Sequence, residues 1–401
     1  AEAVRRARAA QPAWAALEPR ERGKVLMRAH DLVFERQAEV LDLIQLESGK
    51  VRAHAYEEVA DTAMVAAYYA RTGGRHLADR RRGGALPGLT QTREVRHPKG
   101  VVGFIAPWNY PLSMSITDAI PALMAGNGCV IKPAQTTPFT ALWVVDVLIE
   151  AGVPADLLQV VTGKGSAIGT PLIEQCDFVT FTGSTEVGRS VAAQAGEKLI
   201  GCALELGGKN ASIVLDDADL DRAVAGSLQG CFASAGQLCI SIERLFVHRS
   251  VVDEFTRRFV AAVEDLQLSA ALAYGGEMGS LQSRSQLETV TAHVDDARAK
   301  GATVLTGGEP RPDVGPLFYA PTVLTDVDES MAVATEETFG PVVTIYPYDD
   351  VDEAIERANA SAYGLNASVW TSDSGWGAAT AARASGSTPR CRRSRSSTSC
   401  R

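Results

Sequence analysis

Short apolar runs alternate with helical stretches between residues 101 and 195, and this alternation constrains the fold more than any other feature of the sequence. Four runs of strand length, at residues 101–105, 129–131, 157–161 and 178–181, consist mainly of apolar residues. Such runs are typical of strands that are buried on both faces. Sequence of helical character separates these runs and follows the last one, at residues 112–124, 141–151, 167–174 and 187–195. The alternation predicts a parallel sheet with crossover helices, which binds ligands at the carboxyl ends of its strands.

The sequences before and after this region predict further parts of the fold. Residues 1–73 carry apolar residues mostly at steps of three and four, which predicts amphipathic helices packed on a core. The arginine-rich segment at residues 80–82 is predicted to be a solvated loop. Residues 229–345 predict a second α/β domain. Its expected strands and helix lie at residues 245–247, 342–345 and 251–266.

The composition argues against several classes of protein. A net charge of -9 argues against the basic surface that binding the phosphates of a nucleic acid needs. The 7 cysteines are odd in number and scattered, and none has the CxxC spacing of metal sites, which favours reduced thiols in a cytoplasm over disulfides. No apolar run approaches the roughly 20 residues that a membrane span needs. We therefore expect a cytoplasmic protein that binds no nucleic acid, membrane or metal.

Three polar residues stand in segments that suit catalysis. Cys239 lies in the segment AGQLCIS, Glu205 in LELGGKN, and Asn109 in PWNYP, directly after the first predicted strand. A nucleophilic cysteine needs a base or a field that favours the thiolate. The leucines beside Glu205 predict an apolar environment that raises its pKa toward that of a general base. An amide such as Asn109 at the end of a strand can donate a hydrogen bond to a developing oxyanion.

Each of these residues also has a purely structural interpretation. Cys239 can be a buried cysteine of the core, because most cysteines in apolar sequence are. Glu205 can be a surface residue at the end of a strand, and Asn109 can cap a turn that is bounded by prolines. The residues alone leave these alternatives open.

Taken in chain order, PWNYP, LELGGKN and AGQLCIS resemble the signature segments of the aldehyde dehydrogenase superfamily. Two further segments, FTGSTEVG at residues 181–188 and ETFGPV at residues 337–342, are similar to other segments of that family. The resemblance covers residues 1–382. It implies an α/β fold with a parallel, Rossmann-type cofactor domain and an α/β catalytic domain.

The resemblance also implies a mechanism. Cys239 attacks the aldehyde carbonyl to form a thiohemiacetal, whose oxyanion accepts hydrogen bonds from Asn109 and the backbone N–H of Cys239. Hydride transfer to a nicotinamide leaves a thioester, and Glu205 activates the water that hydrolyses it. The presence of Glu205 argues against an acylating dehydrogenase, which passes the thioester to coenzyme A.

The cofactor that the resemblance implies is NADP or NAD. The segment VTGKGS at residues 161–166 follows a strand and opens a helix but lacks the GxGxxG fingerprint, as members of the family do. Gln135 stands where NAD-preferring members commonly carry a Glu, and Lys132 offers a cation nearby, so we expect NADP to be accepted. Glu337 matches the carboxylate at the nicotinamide ribose, and Phe339 matches the residue beside the nicotinamide ring. The residues expected at the dinucleotide site are Ile105, Pro107, Trp108, Lys132, Gln135, Gly163, Gly165, Phe181, Gly183, Ser184, Val187, Leu206, Gly207, Glu337 and Phe339.

The substrate is expected to be a small aldehyde. The segments AGQLCISIER at residues 235–244 and GPLFY at residues 315–319 especially resemble succinate-semialdehyde dehydrogenases. A carboxylate-bearing substrate needs a cation, and Arg244 is a candidate, with a structural ion pair as the alternative role. A broad-specificity or betaine-type aldehyde dehydrogenase is the second possibility.

We predict four segments along the chain. Residues 1–228 form the N-terminal helices and the NAD(P)-binding domain, residues 229–365 the catalytic domain, and residues 366–385 a return segment. Residues 386–401 form a disordered Arg- and Ser-rich tail, whose composition suggests a shifted reading frame. Compared with the family, the first N-terminal segment and the C-terminal oligomerisation segment are expected to be missing. A homo-oligomer, typical of the family, would lack its usual strand, and an inactive, truncated relic is the alternative to an enzyme.

Overall fold

The computed structural model describes residues 1–86 and 88–373, and these residues form two compact units. The first unit comprises Ala1–Leu206 with Leu272–Tyr274, and the second comprises Gly207–Ala271 with the described residues from Gly275 onward. The predicted tail at residues 386–401, and the predicted return segment after residue 373, lie outside the described residues. No helix within the described ranges is long and apolar enough to cross a membrane.

Four helices form the N-terminal part of the first unit, as the spacing of apolar residues predicts. They are α1 (Glu2–Ala15), α2 (Pro19–Glu35), α3 (Gln37–Ser48) and α4 (Arg52–Leu77). Their buried faces carry the apolar side chains of this pattern, among them Leu26, Ile44 and Val59. Trp14 is also buried, and its indole N–H donates to the carbonyl of Leu123 over 2.8 Å. The helical prediction is therefore confirmed.

The arginine-rich segment is a strand, so the prediction of a loop is wrong. β1 (Arg80–Arg82) pairs antiparallel with β2 (Thr92–Glu94), so its backbone is extended and hydrogen-bonded to a second strand. An ion pair between Arg82 and Glu94 links the two strands. The exposure expected for this segment is found, because all three arginines are exposed.

Five parallel strands form the sheet of the first unit. They are β3 (Val101–Ile105), β4 (Gly128–Lys132), β5 (Leu158–Val160), β6 (Phe178–Thr182) and β7 (Gly201–Glu205), in the spatial order β5-β4-β3-β6-β7. The helices between them are α5 (Ser113–Ile116), α6 (Ala119–Met124), α7 (Pro138–Ala151), α8 (Gly165–Gln175) and α9 (Thr185–Glu197). The predicted parallel sheet with crossover helices is confirmed. β7 was not predicted, because its residues alternate between exposed and partly buried positions, so it contains no continuous run of buried residues.

Six strands form the sheet of the second unit. They are β8 (Asn210–Val214), β9 (Ile242–His248), β10 (Thr303–Thr306), β11 (Thr322–Thr325), β12 (Val342–Tyr348) and β13 (Ala367–Trp370), in the spatial order β10-β11-β12-β9-β8-β13. Only the β10–β11 pair among them is antiparallel. The helices of this unit are α10 (Leu220–Phe232), α11 (Val252–Glu264), α12 (Arg284–Ala299), α13 (Ala332–Thr335) and α14 (Val351–Asn359). Its core includes the stacked rings of Phe255 and Phe259.

The units divide earlier in the chain than predicted. The sequence predicted a boundary after residue 228, whereas the structure assigns β8 and α10 to the second unit. The physical reason is the pairing of β8, which lies between β9 and β13 in the second sheet. The segment LELGGKN therefore spans the boundary, with Leu206 in the first unit and Gly207 in the second.

Candidate active site

Asn109, the predicted oxyanion donor, lies in the turn between β3 and α5. β3 ends at Ile105, and the amide of Ala106 donates to the carbonyl of Lys132 over 3.0 Å, so the chain leaves the sheet beside the end of β4. Pro107 and Trp108 then lead to Asn109, which is only 9% exposed. Asn109 therefore stands at the carboxyl end of a parallel strand, where such sheets bind ligands.

A buried ion pair contacts the residues that follow Asn109. Glu58 and Lys50 form a salt bridge, and both are buried. Oε2 of Glu58 accepts hydrogen bonds from the backbone amides of Leu112 and Ser113, over 2.7 and 3.1 Å. The Lys50 ammonium lies 3.5 Å from the centroid of the Tyr110 ring, a cation–π contact. Burial raises the pKa of Glu58 and lowers the pKa of Lys50, and each charge opposes the shift of the other.

Glu205, the predicted base, is the last residue of β7. It pairs in register with Thr182 at the end of β6, so it lies at the carboxyl edge of the sheet. The apolar environment predicted for it is wrong, because Leu204 is partly buried whereas Glu205 is exposed. Successive side chains of a strand point to opposite faces, and Leu204 occupies the packed face of this edge strand. Burial raises the pKa of Asp118, and the nearby Glu205 carboxylate raises it further.

Lys132 and Gln135 lie at and just beyond the end of β4. Lys132 is buried, and burial lowers the pKa of its ammonium. Its Nζ donates to the carbonyl of Pro133 over 2.9 Å, and it forms no ion pair with any residue that the structure describes. Gln135 is exposed. A buried cation without a carboxylate partner suits an anionic or hydroxyl-bearing ligand.

Two predicted helix starts follow β5 and β6, and both are confirmed. Gly163, with a φ of +143°, lies between β5 and α8, and Gly165 is the first residue of α8. Ser184 caps α9, and its hydroxyl accepts a hydrogen bond from the amide of Val187, whose side chain is exposed. The first amides of a helix have no partner within the helix, and the helix dipole favours an anion beside them.

The start of α9 packs closely on its neighbours. Phe181 is buried in β6, and a Cβ atom on Gly183 would lie 2.7 Å from its ring. The amide of Gly183 donates to the carbonyl of Glu205 over 3.0 Å. A Cβ atom on Gly188 would lie 2.4 Å from Leu206. Glycine therefore permits α9 to approach the ends of β6 and β7.

Cys239, the predicted nucleophile, follows a strained turn in the second unit. Ser234, Ala235 and Gly236 have φ values of +50°, +56° and +68°, so three consecutive residues are left-handed. This backbone costs free energy in residues other than glycine and persists only where neighbours hold it. The side-chain amide of Asn210 donates to the carbonyl of Cys239 over 2.7 Å. The half-buried Cys239 thus stands on a backbone that is fixed on both sides.

Glu337 contacts the glycines of the LELGGKN segment. Its Oε1 accepts a hydrogen bond from the amide of Gly208 over 2.8 Å. A Cβ atom on Gly207 would lie 2.2 Å from the Glu337 carboxylate, so only glycine permits this approach. Burial raises the pKa of Glu337 to about 7, although the hydrogen bond from Gly208 opposes the rise. The structure therefore brings the predicted residues Gly207 and Glu337 together.

A second buried ion pair contacts the residues that follow Glu337. Glu243 and Lys209 form a salt bridge, and both are buried. The Glu243 carboxylate accepts hydrogen bonds from the amides of Thr338 and Phe339, each over 3.0 Å. The side-chain amide of Gln286 donates to the carbonyls of Thr338 and Phe339, over 3.1 and 2.8 Å. Phe339 has a φ of +51°, so these contacts hold a left-handed phenylalanine.

Arg244, the candidate for binding a substrate carboxylate, has the structural role instead. It is buried, and its guanidinium donates to the backbone carbonyls of Lys209, Arg357 and Ala358, over 3.0, 3.1 and 2.9 Å. The alternative expected an ion pair, whereas the partners are carbonyl oxygens. A guanidinium that joins the start of β8 to the end of α14 is not directed at a substrate.

The two units divide the predicted site residues between them. The first unit holds Ile105, Pro107, Trp108, Asn109, Lys132, Gln135, Gly163, Gly165, Phe181, Gly183, Ser184, Val187, Glu205 and Leu206, and the second holds Gly207, Cys239, Glu337 and Phe339. The described residues contain no group of His, Cys, Asp or Glu suited to a metal ion. The sequence prediction missed Lys50, Glu58, Lys209 and Glu243. For Glu243 a signal existed, because Glu243 and Arg244 place two charges in the buried strand IERLFVH.

Comparison with known proteins identifies the family. A sequence model of the aldehyde dehydrogenase family matches residues 1–387. The chain is 51% identical over 383 residues to a protein named as a succinate-semialdehyde dehydrogenase (NADP+) in Mycolicibacterium smegmatis, and the match covers 96% of this chain and 74% of that protein. It is 38% identical over 379 residues to the succinate-semialdehyde dehydrogenase (NADP+) GabD of Escherichia coli, with 92% and 77% covered. A betaine aldehyde dehydrogenase of Staphylococcus aureus, solved with NAD+, superposes with a TM-score of 0.90 at 34% identity, covering 95% of this chain and 76% of that one.

The fold and these matches define a class. The chain combines a parallel Rossmann-type sheet with an α/β unit in which Cys239 follows a strained turn, and its matches are to oxidoreductases. The chain belongs to the aldehyde dehydrogenase family. The resemblance and the fold class expected from the sequence are thereby confirmed.

Proposed function

We propose that this chain oxidises an aldehyde to a carboxylic acid with NADP or NAD, and that its substrate is succinate semialdehyde. The observation that carries the proposal is the 51% identity over 383 residues to a relative named for succinate semialdehyde and NADP+. The relative in Escherichia coli, at 38% identity, carries the same description. Membership of the family supports the class of reaction, and the names of the relatives support the substrate and the cofactor.

Cys239 is the nucleophile of this reaction. Its thiolate sulfur bonds to the aldehyde carbon, and the carbonyl oxygen becomes the oxyanion of a thiohemiacetal. The side-chain amide of Asn109 and the backbone N–H of Cys239 donate hydrogen bonds to this oxyanion. The fixed backbone around Cys239 supports the assignment, because a preorganised donor stabilises an oxyanion more than a mobile one does.

Oxidation of the thiohemiacetal carbon removes a hydride and leaves a thioester of Cys239. A bound nicotinamide supplies the acceptor for that hydride. Glu205 takes a proton from water, the oxygen of that water adds to the thioester carbon, and the carbon–sulfur bond breaks to release the carboxylic acid and the thiolate. The exposure of Glu205 supports this role, because a base for hydrolysis must meet water.

The residues present fit a dinucleotide. Lys132, a buried cation without an ion-pair partner among the described residues, suits the hydroxyls or the 2′-phosphate of the adenosine ribose. Gly183 and Ser184 stand at the N-terminus of α9, where the positive end of the helix dipole suits a pyrophosphate. Glu337 and Phe339 would contact the nicotinamide half. The neutral Gln135 adds no negative charge near a 2′-phosphate, so NADP is the expected cofactor.

The experiment measures absorbance of the reduced cofactor. Purified protein is given succinate semialdehyde with NADP or with NAD, beside a Cys239→Ala variant, and betaine aldehyde serves as the alternative substrate. We expect turnover with succinate semialdehyde and NADP that vanishes in the variant.

Two results would overturn parts of the proposal. Faster turnover of betaine aldehyde, measured as kcat/KM, would reject the substrate and favour the second possibility. Failure of the folded protein to turn over either aldehyde would reject the enzymatic function and favour the inactive relic. Circular dichroism and a cooperative thermal transition establish that the protein used is folded.

A further inference from the structure

We propose that Glu243 is a positioning residue for the dinucleotide, and that its carboxylate, paired with Lys209, holds residues 337–339 in the conformation that presents Glu337 and Phe339 to the cofactor. The inference rests on the proposed function, which assigns Glu337 and Phe339 to the nicotinamide half. Glu243 lies four residues after Cys239 in the chain, but every contact described for its carboxylate is directed to Lys209 and to residues 338 and 339.

The first step is the geometry of the carboxylate. Oε1 of Glu243 accepts hydrogen bonds from the amides of Thr338 and Phe339, over 3.1 and 3.0 Å, and Oε2 accepts from Thr338 and from the Lys209 ammonium. Successive backbone N–H groups that point at one anion form a nest, an arrangement that binds negative charge. In this protein the anion is the protein's own side chain. The backbone of residues 338 and 339 is therefore fixed from its N–H side.

The second step is the strain in this backbone. A φ of +51° is unfavourable for phenylalanine, whose Cβ atom crowds the following carbonyl in the left-handed region. Such a residue persists only where the surrounding structure over-determines it. Glu243 holds the amide of Phe339, and Gln286 holds its carbonyl oxygen over 2.8 Å. Without the carboxylate, the amides of two buried or half-buried residues lose their partner and the strain is no longer opposed.

The third step is the connection to Glu337. Lys209 directly follows Gly208, whose amide donates to Glu337 over 2.8 Å. The Glu243–Lys209 pair therefore joins β9, the LELGGKN segment and the Glu337 loop through charged contacts that water does not screen. Loss of this pair should therefore displace Glu337 and Phe339. The backbone at Cys239 should stay in position, because its carbonyl still accepts the hydrogen bond from Asn210.

The test measures binding of NADP to the full chain by isothermal titration calorimetry. Glu243→Gln keeps one acceptor oxygen but removes the charge. We expect the Kd for NADP to rise about 10-fold, which is roughly the effect of losing one hydrogen bond to the cofactor. In the absence of NADP, hydrogen exchange of the peptide that contains Thr338 and Phe339 should be faster in this variant than in the wild type. Alkylation of Cys239 by iodoacetamide, also without NADP, should keep its rate.

Two matched variants separate positioning from stability. The double variant Glu243→Gln/Lys209→Met also removes the buried cation that the single variant leaves unpaired. It should therefore be more stable to heat than the single variant, while its Kd for NADP stays raised. If the single variant does not fold, the double variant is used for the binding measurement. The second variant is Phe259→Leu. Phe259 lies in the core of the same unit, where its ring stacks on those of Phe255 and Phe232. The substitution should lower Tm while the Kd for NADP and the exchange of residues 338 and 339 stay unchanged.

The outcomes distinguish this inference from the proposed function. A wild-type Kd for NADP in the folded double variant, with unchanged exchange at residues 338 and 339, overturns the positioning role even if the enzyme turns over. Binding of NADP without turnover of any aldehyde overturns the proposed reaction, while the change in Kd still supports Glu243. If wild-type protein binds neither dinucleotide, the role toward the cofactor is rejected together with the proposed function.

Discussion

Each unit contains a buried Lys–Glu pair beside a predicted site residue, and the two pairs make similar contacts. In the first unit Glu58 pairs with Lys50 and accepts hydrogen bonds from two consecutive amides, those of residues 112 and 113. In the second unit Glu243 pairs with Lys209 and accepts from the amides of residues 338 and 339. The first pair contacts residues that follow Asn109 in the chain, and the second contacts residues that follow Glu337. A charged pair therefore supports a site loop in both units.

The two loops differ in what else restrains them. The loop of Asn109 contains Pro107 and Pro111, whose rings fix φ, and none of residues 107–112 has a left-handed backbone. The loop of Glu337 has a proline only at its end, Pro341, and Phe339 within it is left-handed. Proline rings bound the first loop on both sides of Asn109, whereas hydrogen bonds oppose the strain at Phe339 in the second.

This difference separates two contributions of a buried ion pair. Removing one partner of either pair leaves a buried lysine without its counter-charge, a cost that both units share. Only in the second unit does the same change also release a strained backbone. We therefore expect comparable losses of stability in the two units but different effects on the loops.

The largest effect is expected from Glu58→Gln. It leaves Lys50 buried without its carboxylate, so the free energy of unfolding should fall by about 3 to 5 kcal/mol. Urea denaturation followed by circular dichroism measures this loss. Glu58→Gln with Lys50→Met is the matched control and should recover most of it. Hydrogen exchange should rise at residues 338 and 339 in the Glu243→Gln/Lys209→Met variant, but much less at residues 112 and 113 in this control. An equal rise at both places would show that the two loops do not differ.

Asn109→Ala should have the next largest effect, on the rate alone. It removes the proposed oxyanion donor from a loop that Glu58 and the prolines still hold, so kcat should fall about 100-fold or more. The Kd for NADP and Tm should stay close to those of the wild type, in contrast to the Glu243 variants. Steady-state kinetics and calorimetry measure these quantities. A weakened Kd for NADP would show that Asn109 itself also contributes to binding of the cofactor.

The sequence predicted the first sheet well because its strands are buried on both faces. β3 and β4 are apolar throughout, so their limits can be read from composition alone. β7 was missed because its residues alternate between exposed and partly buried positions, so no run of buried apolar residues marks it. The same alternation explains the error at Glu205, because a leucine next to it in sequence lies on the opposite face of the strand.

The sequence motifs identify a candidate site, but they do not predict the buried ion pairs that contact its loops. Cys239, Glu337 and Gly207 stand in short segments whose residue types suit their chemistry. Glu58 and Glu243 act through partners that are 54 and 95 residues away in sequence, so no local pattern predicts the contacts. Arg244 shows the converse limit: proximity to Cys239 in sequence suggested a substrate contact, whereas folding directs its guanidinium to backbone carbonyls.

A smaller effect is expected from the titration of Glu337. Burial raises its pKa from 4.5 to about 7, so the folded protein holds this proton more tightly than the unfolded chain does. The stability that protonated Glu337 contributes is therefore complete below about pH 4.5 and is lost as the pH rises through about 7. Relative to Glu337→Gln, the wild type should lose about 2 kcal/mol of unfolding free energy between about pH 5 and pH 8, after allowance for partial exposure.

Denaturation in urea across this pH range, without cofactor, measures the titration. Glu353→Gln is the control for the loss of a carboxyl group as such, because that residue is exposed on α14. Parallel curves for the wild type and Glu337→Gln would show that Glu337 does not carry a raised pKa.

The smallest expected effect tests the role of proline in the first loop. Pro107→Ala gives the unfolded chain more freedom, so the free energy of unfolding should fall by about 0.4 to 1 kcal/mol. If proline and Glu58 restrain the same backbone, the two substitutions should not be additive, and Pro107→Ala should make hydrogen exchange at residues 112 and 113 more sensitive to Glu58→Gln. A double-mutant cycle on stability and exchange measures this coupling. Additive losses would mean that the proline restrains only its own neighbours, and that the first loop depends on its buried carboxylate as the second loop does.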